Sequence, residues 1–176
     1  YLTGFDEPDA VLVLRSGAEA PFSLFVRPRD PERERWSGPR AGPEGARERY
    51  GADRAGVLGD LDAELPRLLE NAPRLFYRLG RDRRFDDRVR DALDRVRARA
   101  RQGIYAPGAI EDPARVLAPL RAVKSVAELE RMARAAAISC AANLAAMRLA
   151  RAGLGEQDLD ALLLREFRAG GARPAY

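Results

Sequence analysis

The firmest helix start in this chain comes late. In "LRAVKSVAELERMARAAAISC" (120–140), Ser125 stands three places before Glu128, the spacing of a capping box. Leu129, Met132, Ala133, Ala136 and Cys140 then recur at helical spacing and predict one apolar face. The helix should run to about Ala152, where Gly153 and Gly155 break it, and a last helix should follow from about Glu156 to Ala169. The stretch after Ser125 is therefore all helix and too short for more than a small unit. Whatever else the chain forms must be built from the residues before it.

Those residues read differently. "DAVLVLR" (9–15) is a short Val/Leu run of the buried-strand kind. "PFSLFVR" (21–27) is a second strand, alternating Phe22, Leu24 and Val26, and the short connection predicts antiparallel pairing. "DPERERWSG" (30–38) predicts a short helix capped by Asp30, opened by Pro31 and stopped by Gly38. A second short helix is expected over 42–51. A third is expected over 59–71, with Asp60 as its cap and Leu61, Leu65, Leu68 and Leu69 on one face. "RLFYRL" (74–79) reads as a third strand. Residues 81–102 predict a long helix ended by Gly103, with Phe85, Val89, Ala92, Leu93, Val96 and Ala100 as its buried stripe. "IYAPGAIEDP" (104–113) reads as a Pro/Gly-rich connection, followed by a helical turn or two at 114–121. The class is α/β: a mixed sheet flanked by helices, then a helical segment.

The helix over 81–101 is rich in arginine and decides what its charge means. Its surplus of Arg over Asp equals the net charge of the whole chain, +4. Basic helices can bind phosphate backbones. Here the acids interleave at pairing distance, Asp86 to Arg90, Asp91 to Arg95 and Asp94 to Arg97. Such pairs describe a solvated face. There is also little aromatic interleaving for base stacking. Lys124 is the only lysine, and a GC-rich gene accounts for that more simply than a nucleic-acid surface does.

Catalytic apparatus is sparse. The chain has no histidine, so neither a Cys/His pair nor a Ser/His/Asp triad can form. The single cysteine, Cys140, reads as a small buried hydrophobe and permits no internal disulfide, which fits a reducing compartment and a cytoplasmic protein. No apolar run reaches the length of a membrane span. The acid pairs Asp60/Asp62, Asp86/Asp87 and Asp158/Asp160 read as helix caps or exposed faces rather than metal ligands. "GLGEQD" (153–158) lacks the third glycine of a dinucleotide fingerprint. Trp36, the only tryptophan, lies in the polar piece "ERERWSGPR". It is either an interface residue or a ring lying across its own domain. Both ends read as cuts, "YLTGF" at full hydrophobic strength and "RAGGARPAY" directly after a helix.

Several of these segments resemble one family. "YLTGFDEPDAVLVL" resembles the YLTGF-x-EP stretch that leads into a strand early in the aminopeptidase P family, the Xaa-Pro aminopeptidases. "RDPERERWSGPRAGPEGA" resembles its RD-x(4)-E-x-W-x-G-x-R segment, with Arg29, Asp30, Glu34, Trp36, Gly38 and Arg40 in place. Arg121, Lys124, Ser125, Glu128 and Leu129 match its R-x-x-K-S-x-x-E-[IL] segment, which prolidases and creatinases share. "EFRAGGARPAY" resembles the H-E-F passage that follows, with Arg165 where His is frequent.

The resemblance implies an incomplete aminopeptidase P N-terminal α/β domain over 1–110, a linker over 111–123, and the opening helices of a pita-bread metallopeptidase domain over 124–176. It implies a parent enzyme that releases the residue before a penultimate proline. Two divalent metal ions, usually manganese, would be held by two Asp, one His and two Glu beyond Tyr176. None of these maps onto this chain, which alone is expected to be inactive and metal-free. The N-terminal domain would serve as a lid and an oligomer surface. Trp36 would stand at the active-site mouth of a neighbouring subunit, and Arg101 at the substrate entrance. The partners implied are a peptide with proline second and further copies of the chain, with no nucleic acid or membrane. A prolidase-type dipeptidase and a non-catalytic interaction module using the arginine helix are the competing readings. The helices beyond Ser125, without partners for their apolar faces, are expected to self-associate.

Overall fold

The computed structural model describes residues 2–174. They form two compact units, the first ending at Pro113 and the second beginning at Ala114.

In the first unit, β1 (Val11–Leu14) and β2 (Phe22–Val26) pair antiparallel, with Val11 opposite Phe25 and Leu14 opposite Phe22. Two helices follow, α1 (Pro31–Ser37) and α2 (Gly42–Tyr50). They carry the chain back to β3 (Arg54–Val57), which pairs parallel to β2 with Ser23 opposite Arg54 and Val26 opposite Val57. The sheet is thus mixed, as expected, in the order β1-β2-β3.

β2 is central and buried on both faces. Leu24 and Val26 pack with Ala46 and Ala52 on one side. Phe25 joins Leu61, Leu65, Leu68, Leu69, Val89, Ala92, Leu93 and Val96 on the other. That second cluster is built by α3 (Leu61–Leu69) and α4 (Arg83–Arg97). Period-two alternation explains the split, because successive strand residues point to opposite faces.

Around the two sheets of this unit, four expectations need correction. β3 was not expected as a strand: "RAGV" has only one strong strand former, and its place is fixed by packing rather than propensity. Gly56 lies under Phe25, where an added Cβ would come within 3.2 Å of the ring. We expect Gly56→Val to cost about 1–3 kcal/mol by overpacking, read as a lower denaturant midpoint. Asp60 does not cap α3 with its side chain; it sits in a 3-10 turn (Leu58–Asp60) that runs into the helix. The third expected strand shrinks to β4 (Leu75–Phe76), outside the main sheet. Its parallel partner β5 (Ile110–Glu111) falls in the stretch read as a connection.

The arginine helix is shorter than expected, with a 3-10 turn (Ala100–Gln102) after it, and Ala100 is exposed. Of the three expected ion pairs only Asp94–Arg97 forms, at 2.8 Å. Asp86 instead accepts from Tyr77 Oη at 2.6 Å and from the Gly80 amide at 3.0 Å, fixing the turn into α4. Burial, then this hydrogen bond, pushes the Tyr77 phenol above its ordinary pKa. Arg90 pairs with Asp87 at 3.0 Å, and Arg95 donates to the Asp62 carbonyl at 3.0 Å. The helix therefore spends part of its charge on α3.

The second unit contains α5 (Ala114–Ala122), α6 (Val126–Leu149) and α7 (Glu156–Ala169). The expected capping box is present: Glu128 N donates to Ser125 Oγ at 3.3 Å and Ser125 N to Glu128 Oε2 at 2.7 Å. α6 packs against α7, and Ala142 of α6 is fully buried. Gly170 lets the end of α7 close on Ile138, where an added Cβ would meet side-chain carbon at 2.8 Å.

The rest of α6 has no cover. Leu129, Met132, Leu144 and Met147 are exposed, and so is Cys140, contrary to its reading as a buried hydrophobe. One packed neighbour cannot bury the broad apolar surface of a 24-residue helix. We expect the chain to self-associate through this face, seen as a weight-average mass that rises with concentration in sedimentation equilibrium. Among the described residues, no helix is long and apolar enough to cross a membrane.

Candidate functional site

The most unusual surface residue is Trp36. Its ring is 93% exposed, so it does not lie across its own unit. An indole in water forgoes burial worth about 1.5–3 kcal/mol for a large apolar side chain, and the question is what holds it there.

The answer lies in the segment around it. Asp30 is the N-cap of α1 in extended conformation, and its carboxylate accepts the Arg33 amide at 3.2 Å. Pro31 occupies the first turn, where its missing N–H costs nothing. Gly38 ends the helix at φ +84, a region L-residues avoid, and donates its amide to the Glu34 carbonyl at 3.0 Å.

Glu34 ties these ends together. Its carboxylate accepts from Arg29 Nη2 at 2.9 Å and Nε at 3.2 Å, and from the Asp30 amide at 3.1 Å. The side chain is only 10% exposed. The Arg29 hydrogen bond, stronger than the opposing effect of partial burial, holds the Glu34 carboxyl below its usual range. The same bond raises Arg29. Arg29 reaches this position by passing over Gly42, where a Cβ would come within 2.7 Å of its Cγ. Arg40 Nη1 closes the segment onto the Pro28 carbonyl at 3.5 Å.

Arg101, the other residue singled out in the sequence, is exposed in the 3-10 turn after α4. Among the described residues, no hydrogen bond, ion pair or ring contact links it to Trp36. Glu34 is the residue whose part sequence reasoning missed. Its signal was an acid five places after Arg29, outside the regular helical pairings.

Other chemistry is thin. A groove of about 350 Å³ opens beside β3 and α3, lined among others by Ser23, Phe25, Arg54, Gly56, Glu64 and Leu68. Arg54 and Glu64 pair there at 3.4 Å. Ser23 is buried in a chain without histidine, so the usual imidazole base for a serine nucleophile is missing. Among the described residues, no three His, Cys, Asp or Glu side chains gather to hold a metal ion. This chain's donors therefore do not fit a two-metal centre.

Comparison with known proteins places the chain in a family. Residues 1–77 match the family model described as aminopeptidase P, N-terminal domain. The Xaa-Pro aminopeptidase of Escherichia coli is 35% identical over 179 residues, covering 100% of this chain and 41% of that protein. Human Xaa-Pro aminopeptidase 3 is 33% identical over 177 residues, covering 98% of this chain and 34% of that protein. Among solved structures, the aminopeptidase PepP of Pseudomonas aeruginosa superposes with a TM-score of 0.93 at 45% identity, over 99% of this chain and 40% of that one. An E. coli aminopeptidase P structure matches with a TM-score of 0.91 at 35% identity, over 99% of this chain and 40% of its own, and is described as zinc-substituted and in complex with product. The chain thus spans about two fifths of the length of its bacterial relatives. It belongs to the aminopeptidase P family and carries that family's N-terminal domain.

Proposed function

We propose that this chain is the lid and assembly region of a Xaa-Pro aminopeptidase, a hydrolase that removes the residue before a penultimate proline. The observation that carries the reading is a fully presented indole on a braced helix, in a chain that Xaa-Pro aminopeptidases match over its whole length. When bound, two divalent metal ions, manganese by preference, would supply the activated water for hydrolysis. They would be held by residues outside this chain.

What this chain's residues contribute is recognition. A proline amide nitrogen has no N–H to grip, so its recognition depends on shape. The Trp36 ring offers a flat apolar surface for that purpose, at the active-site mouth of a neighbouring subunit in a homo-oligomer. Arg101 offers a charged fork at the entrance, suited to the carboxylate or carbonyls of a short peptide. The compartment is cytoplasmic.

The test uses the complete gene product and a panel of peptides. X-Pro-X tripeptides should be cleaved and X-Ala-X peptides spared. Chelation should abolish the activity, and manganese should restore it. Cleavage of X-Pro dipeptides alone would replace the reading with a prolidase.

A further inference from the structure

The segment from Arg29 to Arg40 is bonded to itself to an unusual degree. Asp30 caps α1, Gly38 ends it, Arg40 reaches the Pro28 carbonyl, and Arg29 clamps Glu34. Glu34 gathers its donors from the residues that lead into the helix, the Arg29 guanidinium and the Asp30 amide, and its own carbonyl accepts the Gly38 amide at 3.0 Å. Of Arg29, Asp30, Glu34, Trp36, Gly38 and Arg40, only Trp36 has no part in the bracket, and its side chain stands in solvent. A seven-residue helix with no buried residue cannot hold a fixed orientation by packing. Something polar must hold it.

We infer that Glu34, clamped by Arg29, is the positioning residue for Trp36: its carboxylate ties the start of α1 to the Arg29 guanidinium and so sets where the indole stands. The inference rests on the reading of Trp36 as a substrate-contacting residue, and it deepens that reading. Charge-assisted hydrogen bonds are the strong ones, and a two-point guanidinium contact fixes direction as well as distance. Lysine in place of Arg29 would keep the charge and lose the fork.

The clamp also has a direction in pH. The charged groups around it are Arg29 in the β2–α1 connection, Asp30 and Arg33 paired at 3.3 Å on α1, and Glu44 on α2, which also acts on Arg29. The Glu34 carboxyl titrates below its ordinary range, so the folded state favours the charged form. The ordering of α1 is therefore intact above the ordinary glutamate value of about 4.3 and is lost as pH falls through the lower, folded value.

The experiment uses the complete protein and two readouts. Hydrogen exchange followed by mass spectrometry reports residues 29–40, with the β2 amides as an internal control for the fold. Steady-state kinetics on X-Pro-X peptides report the indole. Glu34→Gln should speed exchange across 29–40 by roughly 10-fold or more, the scale of one lost charged hydrogen bond, and leave β2 unchanged. Arg29→Lys should give an intermediate effect. Protection in the wild type, corrected for intrinsic exchange, should step down at acid pH, and the Gln variant should lack the step.

Glu34→Gln should also raise KM, and adding Trp36→Ala should cause little further loss, because both changes act on one interaction. Should Trp36→Ala prove kinetically silent while Glu34→Gln still loosens 29–40, the clamp stands and the substrate role of Trp36 fails. Normal exchange and kinetics in Glu34→Gln, beside a defective Trp36→Ala, would overturn the clamp alone. Additive losses would overturn the coupling of the two. If Glu34→Gln also deprotects β2, the acid step in wild-type protection decides, and its absence overturns the clamp.

Discussion

Leu61→Ala should lower the stability of the first unit by about 2–5 kcal/mol, the cost of a buried Leu→Ala change that leaves a cavity. Leu61 is 0% exposed and opens α3 within the cluster that joins Phe25 of β2 to Val89, Leu93 and Val96 of α4. It touches the part of the core where sheet and both helices depend on one another, so the cavity has little chance to collapse. Exchange of the β2 amides is the measurement of choice, because the chain divides into two units and a global melt would mix them. Leu14→Ala serves as the control. That side chain is 58% exposed, and its loss should stay within about 0.5 kcal/mol. Equal losses in the two variants would mean that the cluster around Leu61 is not the core of the unit.

Leu61 was readable from sequence, and so were most residues of its cluster, because α3 and α4 repeat their apolar positions at the helical period. The Asp30–Gly38 helix was also readable, since its cap, its first-turn proline and its stop are local chemistry. What could not be read was pairing at a distance. β3 and β5 are short and poor in strand formers, and each exists because a partner strand lies beside it: β2 for one, β4 for the other. Asp86 could have paired along its own helix, and the phenol of Tyr77 from β4's end took it instead. In α6 the error ran the other way. Its apolar periodicity is real, and within this chain α7 covers only part of it, so Leu129, Met132 and Cys140 stand in water. Periodicity shows that a face is suited to burial; it does not show that the covering partner belongs to the same chain. The site followed the same rule. Trp36 could be singled out as a large ring in polar surroundings, whereas the part played by Glu34 needed the loop to close before its donors met.

Trp36→Ala in the complete enzyme should cut kcat/KM on X-Pro-X peptides by about 10-fold or more, where each tenfold is about 1.4 kcal/mol of lost transition-state stabilisation. Buried aromatic anchors at an interface commonly carry at least that much. On the proposed reading, in which the ring receives the proline, the loss should fall mainly on KM, because such a contact binds ground state and transition state alike. Folding should be indifferent to the change: the ring is 93% exposed and has no part in the bracket formed by Arg29, Asp30, Glu34 and Arg40. A weakened grip on substrate is thereby separable from damage to the fold, which most aromatic truncations do not allow. Trp36→Phe should recover part of the affinity, since a smaller ring keeps part of the flat apolar surface. If the ring serves a neighbouring subunit, mixing the Ala variant with a metal-site variant should restore activity in hybrid oligomers whose active metal centre faces a wild-type Trp36. Unchanged kinetics together with an unchanged oligomer mass in Trp36→Ala would remove this residue from the site.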